Sequence, residues 1–105
     1  MGSFEQIDIE KAKDLMDSGQ VTIVDIRDKD SYTQAHIANA IRVDEENVED
    51  FLKRANKSKP LICYCYHGIS SQGATEYFHH QGFEKVYSIQ GGFEHWRTVY
   101  PTVSH

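Results

Sequence analysis

Cys65 opens a six-residue stretch, Cys65-Tyr66-His67-Gly68-Ile69-Ser70, which Ser71-Gln72-Gly73-Ala74 follows. The thiol comes just after an apolar run, Leu61-Ile62-Cys63-Tyr64, and just before a helical pattern. A short loop between a buried strand and a helix aims several backbone N–H groups, and the helix N-terminus, at one atom. Donors converging on a sulfur favour its thiolate, and the thiolate is the form that attacks. The spacing thus predicts nucleophilic sulfur chemistry at Cys65. The plainer reading is a small apolar residue ending a strand, since cysteine is often buried. Gly68 and the Ser70-Ser71 pair at the helix start weigh against it, because a purely structural cysteine needs neither.

The neighbours carry paired readings. Gly68 can take a positive φ or let the backbone curl against a ligand; otherwise it is an ordinary turn glycine. One of Ser70 and Ser71 is expected to cap the helix by accepting a backbone N–H bond. The other hydroxyl is left to point at the sulfur or at a substrate. Tyr66 and His67 are expected to matter more through backbone N–H groups than through side chains, although His67 can also lend charge or accept a proton. Cys63 stands two residues before Cys65 and so faces the same side of the strand. Alternate positions on an extended strand make poor disulfide geometry, so Cys63 is expected in the core. A lone C-x-C is weak evidence for zinc, and His79, His80, His95 and His105 show no ligand spacing with it. Asp25 and Arg27 close another strand on the same edge. They read either as an exposed ion pair of little worth or as a structural pair bracing the active loop. Trp96 reads as core packing.

The elements that must position these residues follow from periodicity. Phe4-Glu5-Gln6-Ile7 reads as a strand, and Ile9, Ala12, Leu15 and Met16 recur at helical spacing until Ser18-Gly19. Val21-Thr22-Ile23-Val24 is the continuous apolar run of a strand covered on both faces. Asp28 to Gln34 reads as a loop with a helical turn, and residues 36–43 as a second turn and a short strand. Asn47 to Ala55 is an amphipathic helix, with Val48, Phe51, Leu52 and Ala55 on one face. The Cys65 strand, its loop and a helix ending at Gly82 come next. Lys85 to Ile89 is another strand, and Gly91-Gly92 turns the chain into a last helix, Phe93 to Val99, stopped near Pro101. Strand and helix alternate throughout. That predicts an α/β fold with a mostly parallel sheet of about five strands and helices on both faces. Ligands of such sheets bind outside the carboxyl ends of the strands, where Cys65 stands.

Length and charge narrow the function classes. The 105 residues fit a single domain, 1–105, with 39% hydrophobic and 26% charged residues, an ordinary globular balance. A net charge of −5 argues against a nucleic-acid partner, which a basic face would normally serve. Met1-Gly2-Ser3-Phe4-Glu5 lacks the basic-then-apolar pattern of a signal peptide, and no apolar stretch approaches the roughly 20 residues of a membrane span. Two cysteines are too few for a disulfide scaffold. A cytoplasmic protein with no membrane partner is the expectation.

Four elements in this order resemble the rhodanese superfamily, in particular its single-domain thiosulfate sulfurtransferases. Val24-Asp25-Ile26-Arg27 is similar to the family's Asp-x-Arg element. Ala35-His36-Ile37-Ala38-Asn39-Ala40 resembles its Gly-His-Ile-x-x-Ala element, with Ala35 where glycine is usual. Cys65 to Ser70 resembles the six-residue catalytic loop, and Gly91-Gly92-Phe93-Glu94-His95-Trp96 the Gly-Gly-x-x-x-Trp ending. The resemblance implies a rhodanese-like fold and a reaction in which the Cys65 thiolate takes the outer sulfur of thiosulfate, releasing sulfite, or a sulfur of a polysulfide, and holds a persulfide. Cyanide or a thiol, including one on a small redox protein such as thioredoxin, then accepts the sulfur. Backbone N–H groups of Tyr66, His67, Gly68, Ile69, Ser70 and Ser71 would stabilise the persulfide, Asp25 and Arg27 would support the loop, and neither metal nor organic cofactor is implied. One departure stands out. Many rhodaneses place a basic residue second or sixth in the loop, and here those positions are Tyr66 and Ser70. Modest affinity for thiosulfate is therefore expected. Rhodanese-like phosphatases and arsenate reductases are the nearest alternative, but they use a longer loop or an arginine that grips an oxyanion, and this loop has none. A non-catalytic carrier or interaction module is the other.

Overall fold

The computed structural model describes residues 4–104. Met1–Ser3, the start of the segment read for a signal peptide, and His105, weighed as a metal ligand, lie outside the described residues. The chain alternates through β1 (Phe4–Ile7), α1 (Ile9–Asp17), β2 (Thr22–Asp25), α2 (Lys29–Gln34), β3 (Ile41–Arg42), α3 (Val48–Arg54), β4 (Leu61–Tyr64), α4 (Ser70–His80), β5 (Val86–Ile89) and α5 (Gly92–Trp96). The five strands form one sheet in the order β1-β5-β4-β2-β3, and every pairing in it is parallel. A single antiparallel bridge, His36 to Val103, lies outside it.

Two apolar clusters explain why the sheet forms. Ile7, Ile9, Ala12, Ile37, Ile62, Phe93 and Trp96 pack one face, where α1 and α5 lie and where Tyr32 and Ala35 of the α2 region join them. Val24, Phe51, Leu61, Cys63, Phe78 and Phe83 pack the other, under α3 and α4. β4 runs through the middle with all four residues buried, because alternate side chains feed opposite clusters. Cys63 belongs to the core, as expected, and Trp96 is 2% exposed.

Local signals start the helices that lead toward the site. Asp8 accepts from the Lys11 N–H and Asp28 from the Ser31 N–H, each supplying a helix's missing acceptor. The stretch from Asp28 to Gln34 is a capped six-residue helix, more regular than a loop with one turn. The last helix is shorter than its pattern predicts. It ends at Trp96, and residues 97–99 continue as turns, with the Tyr100 N–H bonded to the Trp96 carbonyl at 2.9 Å.

The topology places the site. After β2 the chain crosses over one face to β3, and after β4 it crosses over the other to β5. The carboxyl ends of β2 and β4 are adjacent, with Asp25 beside Tyr64 in register. Departing chains that diverge leave a crevice between these two ends, the usual ligand position in an open parallel sheet.

Candidate active site

Cys65 follows β4 directly, and its loop wraps around its own sulfur. The Gly68 and Ser71 N–H groups each point at Cys65 Sγ from 3.2 Å. Ser71 Oγ lies 3.4 Å from the same sulfur, and Cys65 is only 5% exposed. Burial alone pushes a thiol's pKa up. Here the Ser71 hydroxyl and the N–H groups of Ser71, Gly68 and His67 outweigh burial and hold the Cys65 thiol below its ordinary value. Hydrogen bonds to a charged acceptor are worth about 1.5–3 kcal/mol each, so several can reverse the cost of burying one charge.

The expected serine cap does not form. Helix α4 begins after Ile69, and no side chain caps it. The sulfur occupies that role: the Ser71 N–H, which a cap oxygen would normally take, is bonded to Cys65 Sγ. A buried anion-forming atom is a better partner for the helix's positive end than a neutral hydroxyl. Ser70 is exposed, whereas Ser71 is buried with its hydroxyl between Cys65 Sγ and Ser88 Oγ.

The loop keeps its N–H groups inward because its carbonyls are held outward. The Phe93 N–H bonds the Cys65 carbonyl at 2.9 Å and the Glu94 N–H bonds the Tyr66 carbonyl at 3.0 Å. Gln72 Nε2 donates to the Gly68 carbonyl at 2.8 Å, and Gln6 Nε2 reaches it from 3.5 Å. The first two bonds need α5 very close. A Cβ on Gly92, at φ +61°, would sit 2.5 Å from the Tyr66 oxygen and 2.7 Å from the Cys65 oxygen. Gly68, at φ +85°, closes the contact from the other side: a Cβ there would meet the Gly91 nitrogen at 2.9 Å. Only glycine fits either position. Tyr66 and Ile69 flank the sulfur at 37% and 75% exposure. His67 is exposed, and its N–H is the part that faces the sulfur.

Asp25 and Arg27 are buried, not an exposed pair. Arg27 Nη2 lies 2.7 Å from Asp25 Oδ2 and donates also to the Ala35 carbonyl at 2.6 Å. The guanidinium stacks 4.0 Å from the Phe93 ring centroid and 5.8 Å from that of Tyr66. The Tyr66 hydroxyl is 2.9 Å from Ser31 Oγ on α2. The pair thus packs beneath the loop, which sequence spacing alone left undecided. Cys63, on β4 two residues before Cys65, takes the opposite electrostatic course. Burial and then the nearby Cys65 push its thiol far up, so it stays protonated. Neither cysteine is in a disulfide, and among the described residues no three His, Cys, Asp or Glu side chains gather to hold a metal.

Gln6, Gln72, Ser88 and Ser31 are the site residues that sequence reading missed. They lie on β1, α4, β5 and α2 and meet the loop only through the fold. Gly91-Gly92 stood in the motif pattern, but its role in seating the loop carbonyls emerges only where α5 meets the loop.

The family model for the rhodanese-like domain matches residues 8–98. A protein of Pseudomonas fluorescens (strain SBW25) named thiosulfate sulfurtransferase GlpE is 48% identical over 101 residues, 96% of this chain and 92% of the relative. One of Coxiella burnetii (strain RSA 331 / Henzerling II) with the same name is 42% identical over 99 residues, 94% of this chain and 92% of its own. Among solved structures, the rhodanese-like domain of the Anabaena sp. Alr3790 protein has a TM-score of 0.83 at 27% identity, covering 100% of this chain and 81% of that one. A Rhodopseudomonas palustris protein described as a possible tyrosine phosphatase has a TM-score of 0.75 at 28% identity, covering 91% of this chain and 81% of its own.

Proposed function

The chain belongs to the rhodanese-like domain family, and from that premise we propose that it is a thiosulfate sulfurtransferase, a thiosulfate:cyanide sulfurtransferase in assay, working through Cys65. The observation that carries the reading is the pair of N–H groups on Cys65 Sγ at 3.2 Å, together with a thiol held below its ordinary pKa. The Cys65 thiolate attacks the outer sulfur of thiosulfate. The sulfur–sulfur bond of the donor breaks, sulfite leaves with the bonding pair, and Cys65 carries an anionic persulfide. Cyanide or a thiolate then attacks the outer sulfur of the persulfide. Thiocyanate or an acceptor persulfide departs, and the Cys65 thiolate is restored. The acceptor includes a thiol on a small redox protein such as thioredoxin.

The loop supports both half-reactions with dipoles and no side-chain cation. Donors from the backbone between Tyr66 and Ser71, with the positive end of α4, face the sulfur that bears charge in each state. Asp25 and Arg27 support the loop from beneath. No arginine stands between residues 65 and 71, so the bidentate clamp that phosphoryl or arsenate chemistry relies on has no counterpart in this loop. Thiosulfate is gripped without a fixed cation, which supports a high KM for this donor. We read residues 1–105 as one working domain. Among the described residues no helix is long and apolar enough to cross a membrane. Two unpaired cysteines support a reducing, cytoplasmic setting.

Intact mass after incubation with thiosulfate tests the reading on the parent and on Cys65→Ser. The parent gains one sulfur atom, cyanide removes it, and the variant gains none. A parent that stays unmodified while its Cys65 remains alkylatable would overturn thiosulfate as the donor.

A further inference from the structure

Ser88 belongs to β5, is 1% exposed, and its Oγ lies 2.6 Å from Ser71 Oγ. Ser71 Oγ in turn lies 3.4 Å from Cys65 Sγ. Three elements thus contribute one unbroken buried chain: sulfur, hydroxyl, hydroxyl. We propose that Ser88 is a positioning residue for Cys65, acting through Ser71, and that this two-hydroxyl chain reverses its hydrogen-bond direction when Cys65 ionises. The proposal rests on the reading of Cys65 as the sulfur-transfer nucleophile.

A serine hydroxyl has one proton and two lone pairs, whereas a thiolate or a persulfide anion only accepts. With Cys65 as a thiol, S–H donates to Ser71 Oγ and the Ser71 proton is directed to Ser88 Oγ. When the thiol proton is lost to solvent, Ser71 must turn its proton to the sulfur. Its oxygen then needs a donor, and Ser88 is placed to supply one. Only the S–H bond breaks; the two hydroxyls rotate. Without Ser88, the Ser71 oxygen loses that donor, and its hydroxyl, no longer polarised from behind, is a weaker donor to the sulfur. The 2.6 Å separation is at the short end for hydroxyl pairs, as a strongly shared hydrogen requires. Ser88 also borders a polar cavity of about 390 Å³ together with Gln6 and Gln72, the two side chains that hold the Gly68 carbonyl. The chain therefore ends beside the groups that keep the loop's N–H donors inward.

The titratable and charged groups around the sulfur are few. They are Cys63 and Tyr64 on β4, Tyr66 and His67 in the loop, Asp25 at the end of β2 bound to Arg27 just after it, Glu94 and His95 on α5, and Glu5 and Glu76 at the cavity. A change at Ser88 alters none of them, so a difference between variants reports the hydroxyl chain.

The test is the pH dependence of iodoacetamide alkylation at Cys65, read by mass, in the parent, Ser71→Ala, Ser88→Ala and the double variant. Ser71→Ala is expected to raise the apparent Cys65 pKa by about one unit, the loss of one hydrogen bond to a charged acceptor. Ser88→Ala is expected to raise it by less, in the same direction. In the Ser71→Ala background, Ser88→Ala is expected to add nothing. Ser88→Thr keeps the hydroxyl and is expected to restore the parent profile. An unchanged profile in Ser88→Ala, or an equal shift with and without Ser71, would overturn the chain. If Ser88→Ala does not fold, Ser88→Cys, close in size and a weaker donor, is expected to show the same shift, and a parental profile there overturns the proposal. Alkylation does not require sulfur transfer, so failure of the proposed activity shows separately, as an unmodified parent in the thiosulfate experiment.

Discussion

The ends of β2 and β4 lie side by side and handle charge in opposite ways. At β2, a full negative and a full positive charge are buried together, Asp25 against Arg27 at 2.7 Å, and each spends its charge on the other. At the end of β4, the hydrogen-bond partners of the Cys65 sulfur are neutral: the Gly68 and Ser71 N–H groups and the Ser71 hydroxyl. Dipoles stabilise an anion without cancelling it, so its electron pair stays available to an electrophile. Under the proposed function, the difference separates a brace from a nucleophile: the compensated pair serves the structure, and the uncompensated sulfur is the one that reacts. Cys63 makes the same point within one strand. It lacks that set of donors, and burial keeps it a thiol.

The sharpest way to break this comparison is Asp25→Asn. It leaves the Arg27 guanidinium buried with its counter-charge removed, at an expected cost of about 3–5 kcal/mol. For a chain of this size that is a fall in Tm of more than about 10 °C, read by thermal unfolding. Below the new Tm, Cys65 alkylation should keep its parental pH profile, because the sulfur's donors come from elsewhere. A reactive-thiol defect with unchanged Tm would move the pair from brace to chemistry.

A smaller effect is expected where α5 meets the loop. Gly92→Ala combines a positive φ with contacts of 2.5 and 2.7 Å to backbone oxygens that cannot yield cheaply. The left-handed backbone and the overlap together cost about 2–4 kcal/mol. Because those oxygens belong to Tyr66 and Cys65, the N–H ring should loosen and the Cys65 pKa should rise toward the ordinary thiol value. Gly73→Ala is the matched contrast. A Cβ there meets nothing within 4 Å, and the residue is inside α4, so stability should rise by about 0.5–1 kcal/mol. If both changes behaved alike, the tight seat of the loop on α5 would not be what holds the donors inward.

The fold was largely legible in the sequence because its signals are periodic. The continuous run from Leu61 to Tyr64 reads as a strand buried on both faces, and β4 is one. Cys65, its loop and Asp25-x-Arg27 were legible as types at spacings. What was not legible depends on three-dimensional convergence. A helix start rich in serine suggests a serine cap, yet the sulfur took the role because the loop folds back and brings it within 3.2 Å of the Ser71 N–H. Whether Asp25 and Arg27 are exposed or buried is decided by α2 and Phe93 closing over them. Ser88 carries no local signal at all: a serine in a buried strand looks like a small tolerated residue until its neighbour on α4, Ser71, is known.

The smallest expected effect tests the electrostatics alone, through stability against pH. The folded Cys65 thiol lies below its unfolded value, near about 8.5. Between the two values the unfolded chain binds more protons, so the free energy of unfolding rises with pH. The contribution is complete above the unfolded value and is lost as pH falls through the folded one. Each unit of depression contributes about 1.4 kcal/mol. Cys63 works in the opposite sense: its thiol stays protonated when folded, so it costs stability above the unfolded value. Comparing the parent with Cys65→Ser largely cancels Cys63, because burial, the larger cause of its shift, keeps it protonated in both. The stability of the parent relative to the variant should increase as pH rises from the folded Cys65 value to about 8.5, and then level off. A difference that stayed flat across that range would mean that the N–H groups hold the sulfur no better than they hold a neutral hydroxyl, and the contrast between the two strand ends would fail at its root.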